Sequence, residues 1–130
     1  MRSLLNQALA ARENAYAPYS GYRVGAALLT ADGRVFLGCN MENSSYGATI
    51  CAERSAFAAA VSAGAREFKA IAVAGGKGEA ADAAASPCGI CRQVMAEFCH
   101  KDFVIVLGNE ETMEQFTLEQ LLPMSFQLEE

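Results

Sequence analysis

The sequence predicts an α/β fold, a three-layer α-β-α sandwich in which helices cover both faces of a mixed β-sheet. Segments with helical periodicity alternate with short strand-like segments, in the order α-β-β-α-β-α-β-α. The chain has 130 residues, of which 52% are hydrophobic and 19% are charged. This length and composition suffice for one buried core, so we expect residues 1–130 to form a single domain.

The first part of the chain predicts a helix followed by a β-hairpin. Residues 3–16 place apolar side chains at helical spacing, and Ser3 is suited to cap the helix. Two strand-like segments, 24–30 and 35–39, flank Asp32-Gly33, a pair that favours a tight turn between antiparallel strands. The hairpin is therefore predicted to bring two strands of the sheet together.

The middle of the chain alternates between predicted helices and buried strands. Residues 51–63 are mostly helix-forming and stop at Gly64, and residues 88–98 form a second such segment. Two short apolar segments, 70–74 and 103–107, suit strands inside a sheet.

Two further segments complete the secondary-structure prediction. Thr117 and Gln120 have the spacing of a capping box, which predicts a short helix over residues 117–122. Residues 75–85 are rich in Gly and Ala and are expected to form a surface loop. Within this segment Gly75-Gly76-Lys77-Gly78 lacks the spacing of a phosphate-binding loop, so we interpret it as a flexible turn.

Charge and hydropathy patterns exclude several functional classes. The 10 Lys and Arg residues against 15 Asp and Glu give a net charge of −5, and no basic cluster is present that would follow nucleic acid or an anionic membrane. No segment reaches the roughly 18 apolar residues of a membrane span. Asn6 and Gln7 interrupt the amino-terminal apolar run before a secretory signal could form. We expect a cytoplasmic protein without nucleic-acid or membrane partners.

The cysteines point to a metal site. Five cysteines without an export signal favour metal binding or catalysis over a disulfide framework. Cys51-Ala52-Glu53 opens one predicted helix, and Pro87-Cys88-Gly89-Ile90-Cys91 opens the next. The first cysteines of the two motifs are 37 positions apart. Three thiolates leave one position of a tetrahedral zinc open, which is the arrangement of a catalytic zinc that activates water.

The ends of the two predicted helices explain how these residues could meet. Side chains in a first helical turn tilt toward the amino terminus, so Cys51 and Glu53 can reach one point beyond the helix end although they do not share a helix face. Both amino termini also direct partial positive charge at the thiolates, which lowers the pKa of such thiols.

These motifs and several other segments, in the same order, resemble one enzyme family. The C-x-E and P-C-x-x-C pair is the all-cysteine form of the zinc nucleobase deaminase signature. The segments that resemble the short, homotetrameric cytidine deaminases are Ala17-Pro18-Tyr19-Ser20, Val24-Gly25-Ala26-Ala27, Gly38-Cys39-Asn40-Met41-Glu42-Asn43, Cys51-Ala52-Glu53-Arg54, Pro87-Cys88-Gly89-Ile90-Cys91-Arg92-Gln93 and Leu121-Leu122-Pro123. The resemblance covers nearly the whole chain.

The resemblance implies a role for each matching residue. Cys51, Cys88 and Cys91 would hold one Zn²⁺ per chain, and Glu53 would transfer protons. Arg54 would pair with the zinc thiolates and offset their negative charge. The substrate-binding residues that the resemblance implies are Tyr22, Asn40, Glu42, Ser45, Tyr46, Ala52 and Phe126.

Individual substrate contacts follow from the same resemblance. Asn40 and Glu42 match a pair that binds the ribose hydroxyls, and Ser45 and Tyr46 belong to the nucleoside-binding loop. Phe126 matches an aromatic residue of the tail that enters a neighbouring subunit's site.

Tyr22 occupies the aromatic position beside the pyrimidine, where the family usually has Phe. Because a phenol still stacks, we expect Tyr22 to tune the site without abolishing it.

The implied reaction is the hydrolysis of cytidine and deoxycytidine to uridine and deoxyuridine plus ammonia, a step of pyrimidine salvage. Glu53 would take a proton from the attacking water, pass it to N3 of the pyrimidine, and then protonate the leaving amine. A free nucleoside requires no base flipping, which suits an acidic chain.

Three alternatives to a cytidine deaminase remain compatible with the sequence. A lone C-x-x-C can be a redox pair, but that interpretation leaves Glu53 and the second motif unexplained. A structural zinc with Cys39 or Cys99 as the fourth ligand would make the protein a non-catalytic module. Blasticidin S deaminase shares both cysteine motifs, although the Asn40-x-Glu42 pair favours an unmodified ribose.

Overall fold

The computed structural model describes residues 1–128, and its helices and strands alternate much as the sequence predicts. The elements in chain order are α1 (Arg2–Arg12), β1 (Arg23–Thr30), β2 (Val35–Cys39), a short 3₁₀-helix (Tyr46–Ala48), α2 (Ala52–Ser62), β3 (Phe68–Gly76), α3 (Gly89–Phe98), β4 (Val104–Gly108), β5 (Met113–Thr117) and α4 (Leu118–Leu121). Within residues 1–128, no helix is long and apolar enough to cross a membrane.

The five strands form one mixed sheet in the order β2-β1-β3-β4-β5. Strand β1 pairs antiparallel with β2 and β3, strand β3 pairs parallel with β4, and β4 pairs antiparallel with β5. The parallel pair is joined through α3, as expected because parallel neighbours need a crossover connection. The predicted α/β architecture with a mixed sheet is confirmed.

Two apolar layers lie on opposite faces of this sheet. Helix α1 packs on one face, where Leu5 and Ala8 meet Ala27, Ala72 and Val106 from three strands. Helices α2 and α3 cover the other face, and the residues they enclose there include Phe57, Met95, Leu28, Ile71 and Ile105. Neighbouring strand residues thus point to opposite layers, which follows from the two-residue period of a strand.

The first helix differs from its prediction at both ends. Met1, not Ser3, is the residue at the amino-terminal cap, and Ser3 lies inside the helix. The helix stops at Arg12 instead of reaching Tyr16, because the main chain of Tyr16 bonds to Asn40 and Glu42. Those two bonds form an isolated parallel bridge between Tyr16 and Met41 and are incompatible with a further helical turn.

Strand β5 is absent from the prediction. Its sequence, Met113 to Thr117, is half-exposed and contains Glu114 and Gln115, so it lacks the apolar signature of a buried strand. Backbone pairing with β4 creates this edge strand. The adjacent prediction is confirmed, since Thr117 and Gln120 form a reciprocal capping box at the start of α4.

The predicted loop over residues 75–85 is also wrong in part. Gly75 and Gly76 belong to β3 and are buried, as are Ala81 and Ala85 further along. Residues 77–80 are exposed, but the glycine pair is part of the sheet and not a flexible turn.

Candidate metal centre and active site

The three motif cysteines lie at the amino termini of two neighbouring helices. Cys51 is the residue at the cap of α2 and Cys88 the residue at the cap of α3, both in extended backbone conformation. Each helix therefore begins one residue later than the sequence predicts. Cys91 lies in the first turn of α3 and is fully buried. The predicted convergence of both motifs at two helix ends is confirmed by their geometry.

The spacing of the three sulfurs suits a tetrahedral ion. The Sγ atoms of Cys51 and Cys88 are 3.8 Å apart, and those of Cys88 and Cys91 are 3.5 Å apart. Zinc–sulfur bonds of roughly 2.3 Å at tetrahedral angles place sulfurs about 3.8 Å from each other. The three ligand atoms all lie within 4.8 Å of one another, so the cluster fits one zinc with little rearrangement.

The structure argues against a four-cysteine site. Among residues 1–128, the potential ligand side chains that converge on one point are these three cysteines. Cys39 and Cys99 do not belong to this group. Burial raises the pKa of Cys99 to about 12, which is the behaviour of a small core residue. A closed structural zinc shell is therefore not favoured.

Arg54 provides positive charge beside the sulfurs. Its Nη2 donates to the Thr49 carbonyl over 3.2 Å and contacts the Cys51 Sγ at 3.7 Å. The Cys91 thiol and then the Arg54 guanidinium lower the pKa of Cys51 to about 5. Contact with Cys51 and burial raise the pKa of Cys91 in turn. Because like charges repel, three thiols packed this closely do not all ionise unless a cation is bound. The three sulfurs therefore fit a metal site.

Glu53 lies next to this cluster and is nearly inaccessible to solvent. The side chain is only 4% exposed, although it lines the cavity described below. Burial is the main cause that raises the pKa of its carboxyl to about 7. Near neutral pH such a group both accepts and donates a proton, which is what a proton-transfer residue needs.

Gly38 of β2 packs directly against α2 and so brings Cys51 and Glu53 close to the sheet. A Cβ added to Gly38 of β2 would lie 2.4 Å from the Ala52 carbonyl oxygen and 2.5 Å from the Ala56 nitrogen. Glycine therefore permits the first turn of α2 to contact the strand backbone directly. This contact sets the depth at which Cys51 and Glu53 enter the site.

A cavity of about 290 Å³ opens above the sulfurs. Its walls include Cys51, Ala52, Glu53 and Cys88, so two of the thiols and the buried carboxylate face one space. Small-molecule pockets usually have volumes of about 300–1,000 Å³. The cavity therefore has the dimensions of a site for a small ligand.

Four residues predicted to contact substrate line the same cavity: Tyr22, Asn40, Glu42 and Ala52. The Asn40 side chain accepts from the Val24 N–H and donates to the Tyr22 carbonyl, each over 2.8 Å. It thereby fixes the chain beside Tyr22, and its amide keeps a second N–H for a ligand.

The Glu42 carboxylate accepts hydrogen bonds from the segment that precedes Tyr22. The donors are the N–H groups of Tyr19 and Ser20 and the Ser20 hydroxyl. The Ser20 hydroxyl and these N–H groups lower the pKa of Glu42. The ionised carboxylate is an acceptor only and has lone pairs left for hydroxyl groups of a ligand.

The other predicted substrate contacts lie outside this cavity. Tyr46 is 81% exposed and lines an adjoining groove with Tyr19, Ser20 and Glu42. Ser45, next to it, is exposed. Phe126 is 68% exposed, and its carbonyl accepts a hydrogen bond from Gln93 on α3. One chain by itself does not bring these side chains to the sulfurs.

Several cavity residues were not predicted from the sequence. Ser20 and Val24 lie inside segments that resemble the family, and Ile50 and Ser86 lie directly before two of them, so proximity along the chain could have indicated these four residues. The cavity residues without such an indication are Thr49, Val73 and Ala85. Only the packing of the sheet shows that they face a ligand space.

Comparison with known proteins agrees with this geometry. Residues 1–107 match the family model described as the cytidine and deoxycytidylate deaminase zinc-binding region. The chain is 48% identical to a protein of Halalkalibacterium halodurans named cytidine deaminase, covering 98% of this chain and 94% of that protein. It is 43% identical to a probable cytidine deaminase of Dictyostelium discoideum, over 100% of this chain and 86% of the other.

Solved structures show the same likeness. The crystal structure of cytidine deaminase from Burkholderia pseudomallei superimposes with a TM-score of 0.89 at 48% identity, covering 96% of this chain and 98% of that chain. The cytidine deaminase of Mycobacterium tuberculosis gives a TM-score of 0.81 at 39% identity, covering 98% and 97%. The sulfur cluster, the buried carboxylate and the matched residues 1–107 agree, and the chain belongs to the cytidine and deoxycytidylate deaminase family, whose zinc-binding region it contains.

Proposed function

We propose that this protein is a zinc-dependent hydrolase that deaminates cytidine and deoxycytidine to uridine and deoxyuridine with release of ammonia. One observation carries the proposal: three thiols spaced for a tetrahedral zinc share a cavity wall with a buried carboxyl group. The membership in the deaminase family and the names of its relatives support the same substrate class.

Cys51, Cys88 and Cys91 would hold one zinc per chain. When bound, zinc supplies an activated water molecule for hydrolysis. Glu53 accepts one proton of the attacking water at its carboxylate and delivers it to N3 of the pyrimidine. It then takes the proton of the hydroxyl group added at C4 and passes it to the leaving amine. Its pKa of about 7 suits this exchange near neutral pH. Arg54 offsets the charge of the thiolates through its contact with Cys51.

The remaining cavity residues bind and orient the nucleoside. Tyr22 presents its ring to the pyrimidine, and Ala52 forms the adjacent wall. Asn40 and Glu42 address the ribose hydroxyls with one N–H donor and one ionised acceptor. The two neutral ribose hydroxyls can accept a hydrogen bond from Asn40 and donate one to Glu42.

The activity is tested by ammonia release from cytidine and deoxycytidine, with blasticidin S as a parallel substrate. We expect rapid release from the nucleosides and little from blasticidin S. Glu53→Gln should abolish turnover while one zinc per chain is retained, and Glu97→Gln on the exposed side of α3 serves as the matched control. Release from none of the substrates, or loss of zinc in Glu53→Gln, would contradict the proposal.

We further propose that the protein is a homotetramer in which Phe126 enters a neighbouring site. The tail is tethered along α3 by Gln93 to the Phe126 carbonyl and by Gln127 to the Ala96 carbonyl, each over 2.8 Å. This places an exposed aromatic side chain at the surface of the chain. Tyr46, beside Ser45 in the nucleoside-binding loop, is similarly exposed next to the cavity.

Mixed oligomers test this sharing of sites. Phe126→Ala and Glu53→Gln should each be inactive or nearly so alone. Mixed and reassembled, they should regain activity, because a site with an intact Glu53 then receives Phe126 from the other chain. Leu128→Ala is the matched control in the tail. A monomer in light scattering, or no recovery in the mixture, would rule the shared site out.

We also propose that the enzyme works in the cytoplasm. The five cysteines are free thiols in the structure, and three of them must stay reduced to bind zinc. A reducing compartment maintains them in that state. Fractionation of cells producing the protein, with activity in the cytoplasmic fraction, is the corresponding measurement.

A further inference from the structure

Tyr22 forms a hydrogen bond with Asp82, a residue that lies outside the family-like segments and does not line the cavity. Its hydroxyl donates to Oδ2 of Asp82 over 3.1 Å, while its ring lines the cavity. Burial and, after it, the bond to Asp82 raise the pKa of Tyr22, and the charge of Arg12 opposes this effect. The phenol is thus held as a neutral donor with a defined acceptor.

Two glycines make room for this pair at the end of β3. A Cβ on Gly75 would lie 3.1 Å from Cε1 of Tyr22, and a Cβ on Gly76 would lie 3.0 Å from the nitrogen and 3.1 Å from Oδ1 of Asp82. These distances are tighter than ordinary contacts of a side chain. The glycine pair therefore lets the Tyr22 ring and Asp82 pack directly on the strand.

The segment that carries Asp82 is fixed to the body of the protein. The buried guanidinium of Arg12 donates to the carbonyls of Gly76, Gly78 and Glu79, and Asn109 donates to the carbonyl of Ala81 over 3.2 Å. The Asp82 nitrogen itself donates to the Gly75 carbonyl over 2.7 Å. Asp82 is an exposed residue on a well-anchored backbone, so its carboxylate can restrain Tyr22.

We propose that Asp82 is a positioning residue for the deamination, holding the Tyr22 ring in place against the pyrimidine. The inference rests on the proposed function. Because Tyr22 contacts the base both in the bound substrate and in the transition state, loss of the restraint weakens uniform binding and acts on KM more than on kcat. A phenylalanine at position 22 could not form this bond, so the restraint by Asp82 requires the tyrosine hydroxyl.

A double-mutant cycle tests the proposal. Asp82→Ala should raise KM for cytidine about 3- to 10-fold, as expected for loss of one hydrogen bond, with kcat changed less than about 2-fold. Tyr22→Phe should have an effect of similar size. The double variant should be no worse than either single variant, because both changes remove the same bond. Asp82→Asn keeps an acceptor oxygen and should restore most of the loss.

A control in the same segment separates this effect from a general loss of charge. Glu79→Ala removes an exposed carboxylate while its main chain still binds Arg12, and KM should stay within about 2-fold of the original value. Additive effects of the Asp82 and Tyr22 changes, or an equal effect of Glu79→Ala, would overturn the proposal.

An activity-independent measurement keeps this inference distinct from the proposed function. In ultraviolet titration of the four tyrosines, Asp82→Ala should lower the pKa of one tyrosine. The same change in the Tyr22→Phe background should shift none. Lack of cytidine turnover by the original protein would defeat the proposed function, whereas an unshifted titration would defeat the Asp82 contact.

Discussion

At the scale of single residues, the site combines charges that would be costly to bury separately. Three thiols, the Glu53 carboxyl and the Arg54 guanidinium lie close together. The Nε of Arg54 is buried and has no hydrogen-bond partner within residues 1–128. A bound cation would balance the thiolates, whereas the Nε–H donor needs an acceptor such as a thiolate sulfur, since buried polar groups are normally paired.

Arg54 should control how tightly zinc is held. Arg54→Gln removes the positive charge beside Cys51, so we expect the affinity for zinc to fall about 10- to 100-fold, as for other groups that support metal ligands. Competition with a coloured chelator measures the change. Arg66→Gln, four residues beyond the carboxyl end of α2 and bonded to the carbonyls of Val61 and Ala65, is the control. Equal affinities in both variants would disprove this role.

The identity of the zinc ligands can be tested by exchange of single cysteines. Cys88→Ser should lose zinc, because only two thiolates would remain, whereas Cys99→Ser and Cys39→Ser should each retain one zinc per chain. Metal analysis after gel filtration gives the stoichiometry. Loss of zinc from Cys39→Ser or Cys99→Ser would revive the structural four-cysteine alternative.

At the scale of elements, most helices and strands could be predicted because each carries its own pattern. The hairpin turn at Asp32-Gly33 and the capping box at Thr117 and Gln120 have the expected partners. Strand β5 and the early end of α1 were not predicted. Both depend on backbone hydrogen bonds to distant segments, which apolar periodicity does not indicate.

The contact between β2 and α2 should be intolerant of any side chain. Gly38→Ala would place a methyl group 2.4 Å from the Ala52 carbonyl oxygen, so we expect the free energy of unfolding to fall by about 2–4 kcal/mol. Denaturant unfolding measures it. Gly47→Ala, where an added Cβ meets no atom within 4 Å, should change stability little. A Gly38→Ala protein as stable as the original would show that α2 can shift outward freely.

At the scale of the whole molecule, the cavity joins segments far apart in the chain. Tyr22 lies just before β1 and Ala85 lies between β3 and α3, while Cys51 and Cys88 lie at the starts of α2 and α3. Zinc bound between α2 and α3 would therefore tie two elements that otherwise make few contacts. The organisation of residues 1–130 as one domain stays a prediction.

Removal of zinc should lower the thermal stability of the whole chain. If free zinc exceeds its dissociation constant about 1,000-fold, binding contributes roughly 4 kcal/mol, which corresponds to a Tm decrease of the order of 10 °C on chelation. Scanning calorimetry with and without chelator measures it. Added Zn²⁺ should restore the original Tm and Mg²⁺ should not, because thiolates prefer the softer ion. An unchanged Tm would mean that the metal does not link the helices.

The sequence by itself determined the α/β class and predicted the three sulfur ligands and the carboxylate of Glu53 beside them, because these depend on local spacing and on residue chemistry. It also indicated Tyr22, Asn40 and Glu42 through the family resemblance. The tertiary structure decided which apolar residues form the cavity wall, where β5 pairs, and that Gly75 and Gly76 make room for Tyr22 and Asp82. These features depend on contacts between residues distant in the chain, and no local pattern encodes such contacts.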